Sequence, residues 1–539
     1  MVQRKSYMIS NARRIIISVT VIIAAMMQLI DTSIVNVALP HIMGNLGADL
    51  DEATWIVTSY VFANVVILPM TGWLAARFGR KQYFMGSIVL FVMASVMCGQ
   101  STSIWELVVF RFIQGLAGGG LMPVSRVILI ESYSPEDLGL ANAIFAMGII
   151  TGPTIGPTLG GWLTDSFTWR WIFYVNVPIG IIALLMAMAN VTNPADAKKA
   201  GRVDWLGILF LFIGFGSLQI VLERGERDNW FSSSFIVILS IIAVIGILLF
   251  LLYEFFHHSP VVDLRVFRHK NFAVSTFFSF MMGLGLFGSV FIFPIFTQNL
   301  LGYSALQTGL IMVPGALTAA LLNPVIGILL RKKVSPQLLA FIGIILFFVF
   351  SVMISNETMQ YGPGDFFWPL ILRGLGLGFL SVPINTIALT GMFGQELSES
   401  SGILSMIRQL GGSFGVALIT TLIDRRVVFH RTALAVHINQ YNPQFQQWFA
   451  STVQHFVSTG SALSTARQQG YKALSYILMQ QSSVLAYNDT YYVIGLFFLV
   501  ISPLLLFTFT RKHKKAAVVP VKMHKMELVK TSDKTAMKT

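Results

Sequence analysis

The chain is 539 residues long, 55% hydrophobic and only 11% charged, with a mean hydropathy of +0.71 and a formal net charge of +13. Soluble domains carry about 25% charged residues, so a water-exposed surface of this size could not be covered, whereas a bilayer crossing needs only roughly 20 apolar residues. These values exclude a soluble enzyme, a disordered chain and a secreted disulfide scaffold, and the single cysteine, Cys98, has no partner within the chain.

Apolar runs of helix length fall at 15–39, 54–75, 82–100, 104–128, 140–163, 171–190 and 205–222, and then at 234–254, 272–296, 305–330, 337–355, 366–390, 402–424 and 488–510. The first run is long, holds Asp31 and lacks a small-residue cleavage site, so it reads as a retained span and not a signal peptide. The polar stretch 425–487 reads as one long outer loop, either a hairpin, a set of amphipathic helices or a passive surface segment. Counted from an inner N-terminus, the inner segments hold Arg4, Lys5, Arg13 and Arg14, then Arg77, Arg80 and Lys81, then Lys198, Lys199 and Arg202. They continue with Arg265, Arg268 and Lys270, with Arg331, Lys332 and Lys333, and with nine basic residues in the tail from Arg511. The short outer loops hold only Arg170, Arg224 and Arg227, an asymmetry that places both termini in the cytoplasm. The positive balance follows from this topology and a solvated basic tail, and does not point to nucleic acid.

Two local patterns recur. Pro69-x-x-Gly72-x-Leu74 runs into Arg77, Arg80 and Lys81, and Pro324-x-x-Gly327-x-Leu329 runs into Arg331, Lys332 and Lys333. Arg111 followed by a glycine run to Pro123 is matched by Arg373 followed by Gly374, Gly376, Gly378 and Pro383. Each pair is separated by eight spans, so two six-helix halves flank an inserted helix pair. The expected organisation is a cytoplasmic N-terminus 1–14, a first bundle 15–190, inserted helices 205–254, a second bundle 272–510 and a cytoplasmic tail 511–539. Internal symmetry of this kind marks secondary transporters, whose substrate site lies between the halves.

Nearly all carboxylates map to loops or span ends, and Asp31 stands out inside the first span. A charge there costs at least ~2.5 kcal/mol, which selects for function. Asp31 lies about 13 Å below Pro40 and Arg111 about 9 Å below Trp105 at the same face, so the two can meet. The pair reads as a proton-coupling site; the competing reading is a static ion pair between spans 1 and 4. In span 5, Gly148, Gly152, Gly156 and Gly160 share one helical stripe, accompanied by Pro153, Pro157 and Gly161. This bare groove is expected to form a sliding or sealing contact between the halves. Gly72 to Lys81, with Arg77, Gly79 and Arg80, links spans 2 and 3. The chain has no Gly-Lys pair for a phosphate loop, no His-Glu-x-x-His and no paired-cysteine metal spacing, and His257-His258 reads as interfacial. An enzyme is disfavoured.

These motifs resemble the major facilitator superfamily, in its fourteen-span drug:proton antiporter family, EmrB/QacA branch. The stretch Asp31 to Pro40 is similar to that family's span-1 motif and Gly72 to Lys81 to its loop motif. Leu107-x-x-x-Arg111-x-x-Gln114-Gly115 is similar to its span-4 proton-coupling motif, and Gly148 to Gly161 to its antiporter motif. Further matches are Trp169 to Pro178, Arg373 to Asn385 and Arg408 to Ser413. One departure is Ala76, where the loop motif usually carries an acidic residue. The resemblance implies an all-α integral membrane protein of fourteen transmembrane helices in a 6+2+6 arrangement, in the bacterial cytoplasmic (inner) membrane. It implies export of hydrophobic or amphipathic drugs in exchange for protons by alternating access, with no cofactor and the proton gradient as energy source. The cavity residues it implies are Met27, Asn36, Tyr60, Asn64, Phe287 and Phe291, with Arg373 and Arg408 as second-half polar positions. Expected partners are hydrophobic small molecules, protons and membrane lipid; a periplasmic adaptor protein and an outer-membrane channel stay open. A dedicated fatty-acid or lipid-like exporter on the same scaffold is the first alternative, and a non-transporting membrane sensor or scaffold the second.

Overall fold

A computed structural model describes residues 10–134, 137–193, 203–257, 260–436, 438–439 and 441–508, except for the side chains at 50, 150, 151, 153, 154, 305 and 506–508. The terminal segments 1–9 and 509–539, the basic residues Lys198, Lys199 and Arg202, His258 and the side chain of Pro153 thus lie outside the described residues.

The first helices are α1 (Asn11–Leu46), α2 (Leu50–Phe78), α3 (Arg80–Gln100), α4 (Ile104–Glu131), α5 (Leu138–Ser166), the short α6 (Trp171–Tyr174) and α7 (Asn176–Asn190). Then come α8 (Trp205–Arg224) and α9 (Ser234–Phe256). The remainder is α10 (Lys270–Asn299), α11 (Ala305–Arg331), α12 (Pro336–Ile354), α13 (Phe367–Leu389), α14 (Gly394–Ala435), α15 (Pro443–Ser458) and α16 (Leu463–Ile501). No strand occurs among the described residues. Thirteen helices are long and apolar enough to cross a bilayer, with α6 and α7 joined as one, and α5 adds a shorter apolar stretch, Leu138–Ile149. Boundaries follow local chemistry. Asp49 and Glu52 form a reciprocal capping box at the start of α2, Ser304 and Gln307 do the same for α11, and Gly47 closes α1 at φ +64°.

The stretch expected as a long outer loop is mostly helix. At about 1.5 Å per residue the 42 residues of α14 reach about 63 Å, twice a hydrocarbon core of about 30 Å. α14 and the 39-residue α16 therefore project beyond the membrane, with α15 packed against α16 between them. The last span is correspondingly the end of α16, which stops at Ile501. Polar composition hid this extension, because a helix outside lipid needs no apolar run.

Helix pairings repeat across the chain. α1 packs on α4, α5 and α7, α2 on α4, and α3 on α4; likewise α10 packs on α13, α14 and α16, α11 on α13, and α12 on α13. The inserted α8 and α9 pack on each other, and α8 also reaches α2 and α14. The six-helix groups meet chiefly at two crossings, α2 with α14 and α5 with α11, beside which α4 also packs on α14 and α5 on α13. Lipid gives no hydrophobic drive between helices, so close backbone approach does the joining, and small residues mark it. A Cβ added at Gly72 would lie 2.5 Å from Glu399 Cγ and 2.8 Å from its backbone nitrogen. Its counterpart in the repeat, Gly327, would meet Ala143 Cβ and Leu140 Cα at 2.9 Å. The two glycines that recur in sequence thus do the same job at the two crossings. Arg331 adds an ion pair to Asp137 (3.2 Å) across the second.

Candidate functional site

The Asp31–Arg111 pair is formed. Arg111 Nη1 donates to Asp31 Oδ2 at 2.6 Å, with Asp31 0% and Arg111 1% exposed. The helix ends that placed these residues at equal depth also give each a rigid backbone, so the contact joins α1 to α4. Asp31 Oδ1 accepts from Gln114 Nε2 at 2.9 Å and from Asn176 Nδ2 at 2.8 Å. Ser95 Oγ takes a second hydrogen bond from each of those amides, at 2.7 and 3.3 Å. Arg111 also donates to Gln114 Oε1 (2.6 Å) and to the Ile56 carbonyl (3.4 Å), and its guanidinium lies 4.1 Å from the Tyr60 ring centroid. Hydrogen bonds to a charged partner are about twice as strong as neutral ones, and none here is diluted by bulk water.

Asp31 is the hub of this network. As a carboxylate, Asp31 neutralises Arg111 and accepts three donors. Besides Asp31, Arg111 has the Gln114 side-chain oxygen, the Ile56 carbonyl and the face of Tyr60, which are neutral ligands for a cation.

Gln114, Asn176 and Ser95 are site residues that the sequence quoted or passed over without assigning a role. Gln114 was within reach of inference, since it sits one helical turn from Arg111. Asn176, the first residue of α7, and Ser95 had no signal beyond being polar in apolar runs.

The glycine stripe of α5 faces α1, not the other half as expected. A Cβ at Gly148 would meet Ile22 at 2.7 Å, at Gly152 Leu29 at 2.9 Å, at Gly156 Ile30 O at 3.2 Å and the Ser33 side chain, and at Gly160 Ile34 at 2.7 Å. Spacing identifies a bare face but not the helix it meets. The contact between halves lies on another face of α5, where Gly139 and Thr158 approach Leu330 and Gly309 of α11. A Cβ added at Gly161 would come no nearer than 4.0 Å to Val37, and Pro157 is half-buried. The stripe clasps the turns of α1 that carry Asp31.

In the loop after α2, Gly79 turns at φ +86°, Arg77 is exposed, and Arg80 is buried and paired with Glu131 at the end of α4. Arg80 thus supplies a charge contact between helix ends despite Ala76.

Of the cavity positions, Tyr60 stacks on Arg111, and Asn64 accepts from Gln28 and donates to the Gly115 carbonyl, both at 3.4 Å. Met27 is fully buried against Gly180 of α7, while Asn36 and Phe291 are exposed. Phe287 lines a small cleft, partly open to solvent, together with Ile149, Val290, Leu377 and Arg373. Arg408 is buried and donates to Asn385 Oδ1 at 2.8 Å. Asp31 is not the sole buried carboxylate: Glu254, Glu357 and Asp204 are buried as well, near helix ends where sequence reading assumed solvent.

Residues 21–416 match the family model described as Major Facilitator Superfamily. The chain is 32% identical over 503 residues to the multidrug export protein EmrB of Escherichia coli (strain K12), covering 93% of this chain and 96% of that one. It is 32% identical over 485 residues to the fatty acid resistance protein FarB of Neisseria gonorrhoeae, covering 89% and 93%. Among solved structures, that of the human organic anion transporter MFSD10 superposes with a TM-score of 0.58 at 13% identity, over 92% of this chain and 100% of that one, a likeness of fold alone.

Proposed function

Because the chain belongs to the major facilitator superfamily, we propose that it is a proton-coupled antiporter exporting hydrophobic or amphipathic compounds across a bacterial inner membrane, with both termini in the cytoplasm. The observation that carries this reading is the enclosed Asp31–Arg111 pair with its Gln114 and Asn176 donors. Proton uptake at Asp31 releases Arg111 from its counter-charge and frees α1 from α4; proton release restores both. The α2–α14 and α5–α11 crossings are the contacts about which the halves rock. The glycine stripe transmits movement of α1 to α5, which itself forms one of those crossings. We place a periplasmic adaptor among the candidate partners, with the projecting ends of α14 and α16 and the intervening α15 as the surface it would meet.

Dye efflux in inverted vesicles under an imposed pH gradient tests the reading. Asp31→Asn keeps the shape and removes the titration, and the expected result is at least about a tenfold loss of gradient-driven efflux with normal membrane expression. Wild-type efflux by Asp31→Asn across pH 6–8 overturns the assignment of the proton carrier. Efflux that persists without a gradient and requires ATP overturns the transporter class.

A further inference from the structure

We propose that Arg126 and Arg408 form a buried binding site for the anionic head of an amphipathic substrate, a carboxylate or comparable oxyanion. The proposal rests on the exporter reading above and gives that export its substrate class.

Arg126 belongs to α4 and Arg408 to α14, helices of opposite halves that pack together, with Ser401 Oγ 3.5 Å from the Pro123 carbonyl one turn before Arg126. Arg126 is 1% and Arg408 4% exposed. A guanidinium does not give up its proton, so a buried one must find negative charge or stay uncompensated. Arg111, earlier on the same α4, has Asp31. Among the described residues no carboxylate pairs with Arg126 or Arg408. Burial weighs first against the charge of Arg126, and the like charge of Arg408 adds to that cost in a low-dielectric interior. Arg126 faces the Phe145 ring, 5.1 Å from its centroid, and Arg408 has the neutral Asn385. Nε and Nη1 of Arg126 and Nε of Arg408 have no hydrogen-bond partner. Two cations with vacant donors, brought to the joint between the halves, lack an anion that no described residue supplies.

The surroundings suit an apolar body behind that anion. Phe145, Ile149, Met406 and Leu410 share one apolar cluster, and Ile149 also lines the cleft that holds Phe287 and Arg373. Phe287 lies against Gly412, one helical turn from Arg408, which brings one wall of the cleft to the same stretch of α14. Because the two arginines come from opposite halves, the anion ties the halves together while bound. Its departure restores the repulsion between them.

The test uses the purified full chain in nanodiscs of zwitterionic lipid, with dodecanoate, dodecanol and dodecyltrimethylammonium as probes and binding read by calorimetry. Dodecanoate is expected to bind about tenfold or more tighter than dodecanol, with Arg126→Gln and Arg408→Gln each erasing the difference and Arg126→Lys keeping part of it. Ligand-free Arg126→Gln is expected to melt at or above the wild-type temperature, because an uncompensated charge is gone. Equal affinity for the three probes overturns the site. A lower melting temperature in Arg126→Gln with dodecanoate affinity unchanged also overturns it and makes Arg126 structural. Loss of the dodecanoate preference in nanodiscs containing phosphatidylglycerol overturns the substrate assignment in favour of a lipid headgroup. Proton-driven efflux of an uncharged dye, run in parallel, separates the two readings: if efflux fails while the preference persists, the exporter reading falls and the anion site stands.

Discussion

At the scale of single residues, the central asymmetry is between an arginine that has a counter-charge and arginines that do not. Breaking a buried pair by removing one partner costs about 3–5 kcal/mol, since the other charge stays behind in the interior. Arg111→Ala and Asp31→Asn are both therefore expected to lower the melting temperature of folded protein in detergent, Arg111→Ala also because it empties the volume of a fully buried side chain. A melting temperature within a degree or two of wild type for Arg111→Ala would count against a pair sealed from water. Glu357 offers a pH-dependent case outside the membrane spans. It is buried between α12 and α13, and burial pushes its carboxyl well above the usual carboxylate range. The folded chain therefore binds a proton that the unfolded chain has lost, and stability falls as pH rises above the ordinary carboxylate value. Glu357→Gln is expected to raise the melting temperature at pH 8 more than at pH 5. A gain independent of pH would remove titration as its cause.

At the scale of helices, the glycines divide into two groups with different consequences. The stripe at Gly148, Gly152, Gly156 and Gly160 lets α5 lie against α1 within one half, whereas Gly72 and Gly327 let helices of opposite halves cross. Gly152→Leu forces bulk against Leu29, two residues before Asp31, and overpacking of this kind costs about 1–3 kcal/mol. It is expected to impair the coupling of proton and dye fluxes, measured as protons moved per dye, as well as stability. Gly72→Val is expected to act otherwise, separating α2 from the start of α14 with the Asp31 network intact. Both effects belong to sequence features visible beforehand; the repeat matched Gly72 to its equivalent Gly327 but named the contact of neither. A stripe of small residues declares a close contact, and in a chain whose other helix faces are nearly all apolar nothing in the pattern names the neighbour.

At the scale of the whole molecule, the α5–α11 crossing runs along most of both helices, from Gly139 at Leu330 to Thr158 at Gly309. Ala143 Cβ lies 2.9 Å from where a Cβ would stand at Gly327, within the reach of a disulfide after slight adjustment. Cys98 is the one cysteine, so a Cys98→Ser background makes the experiment clean. Joined there by the double substitution Ala143→Cys and Gly327→Cys, the oxidised protein is expected to lose transport and to recover it on reduction. Undiminished efflux in the cross-linked form would show that the halves do not part at this crossing. The C-terminal end of the inserted α8 and the turn after it hold both halves as well. Arg227 pairs with Asp51 of α2 at 2.7 Å, and Gln219 donates to Ser413 of α14 at 2.7 Å.

The amino-acid sequence by itself determined the number of spans and the depth of Asp31 and Arg111. Hydrophobic length is a local quantity that the bilayer reads segment by segment, and helical rise converts position into depth. The repeat likewise marked Gly72 and Gly327 as equivalents. Tertiary structure alone decided which faces meet. It turned the α5 stripe toward α1, closed the Asp31 site with Gln114, Asn176 and Ser95, continued α14 and α16 beyond the lipid, and set Arg126 and Arg408 at the joint of the halves with no carboxylate paired to either among the described residues. Each of these depends on contacts between residues far apart in the chain. Lipid, as apolar as the helices themselves, leaves no contrast in the sequence to record them.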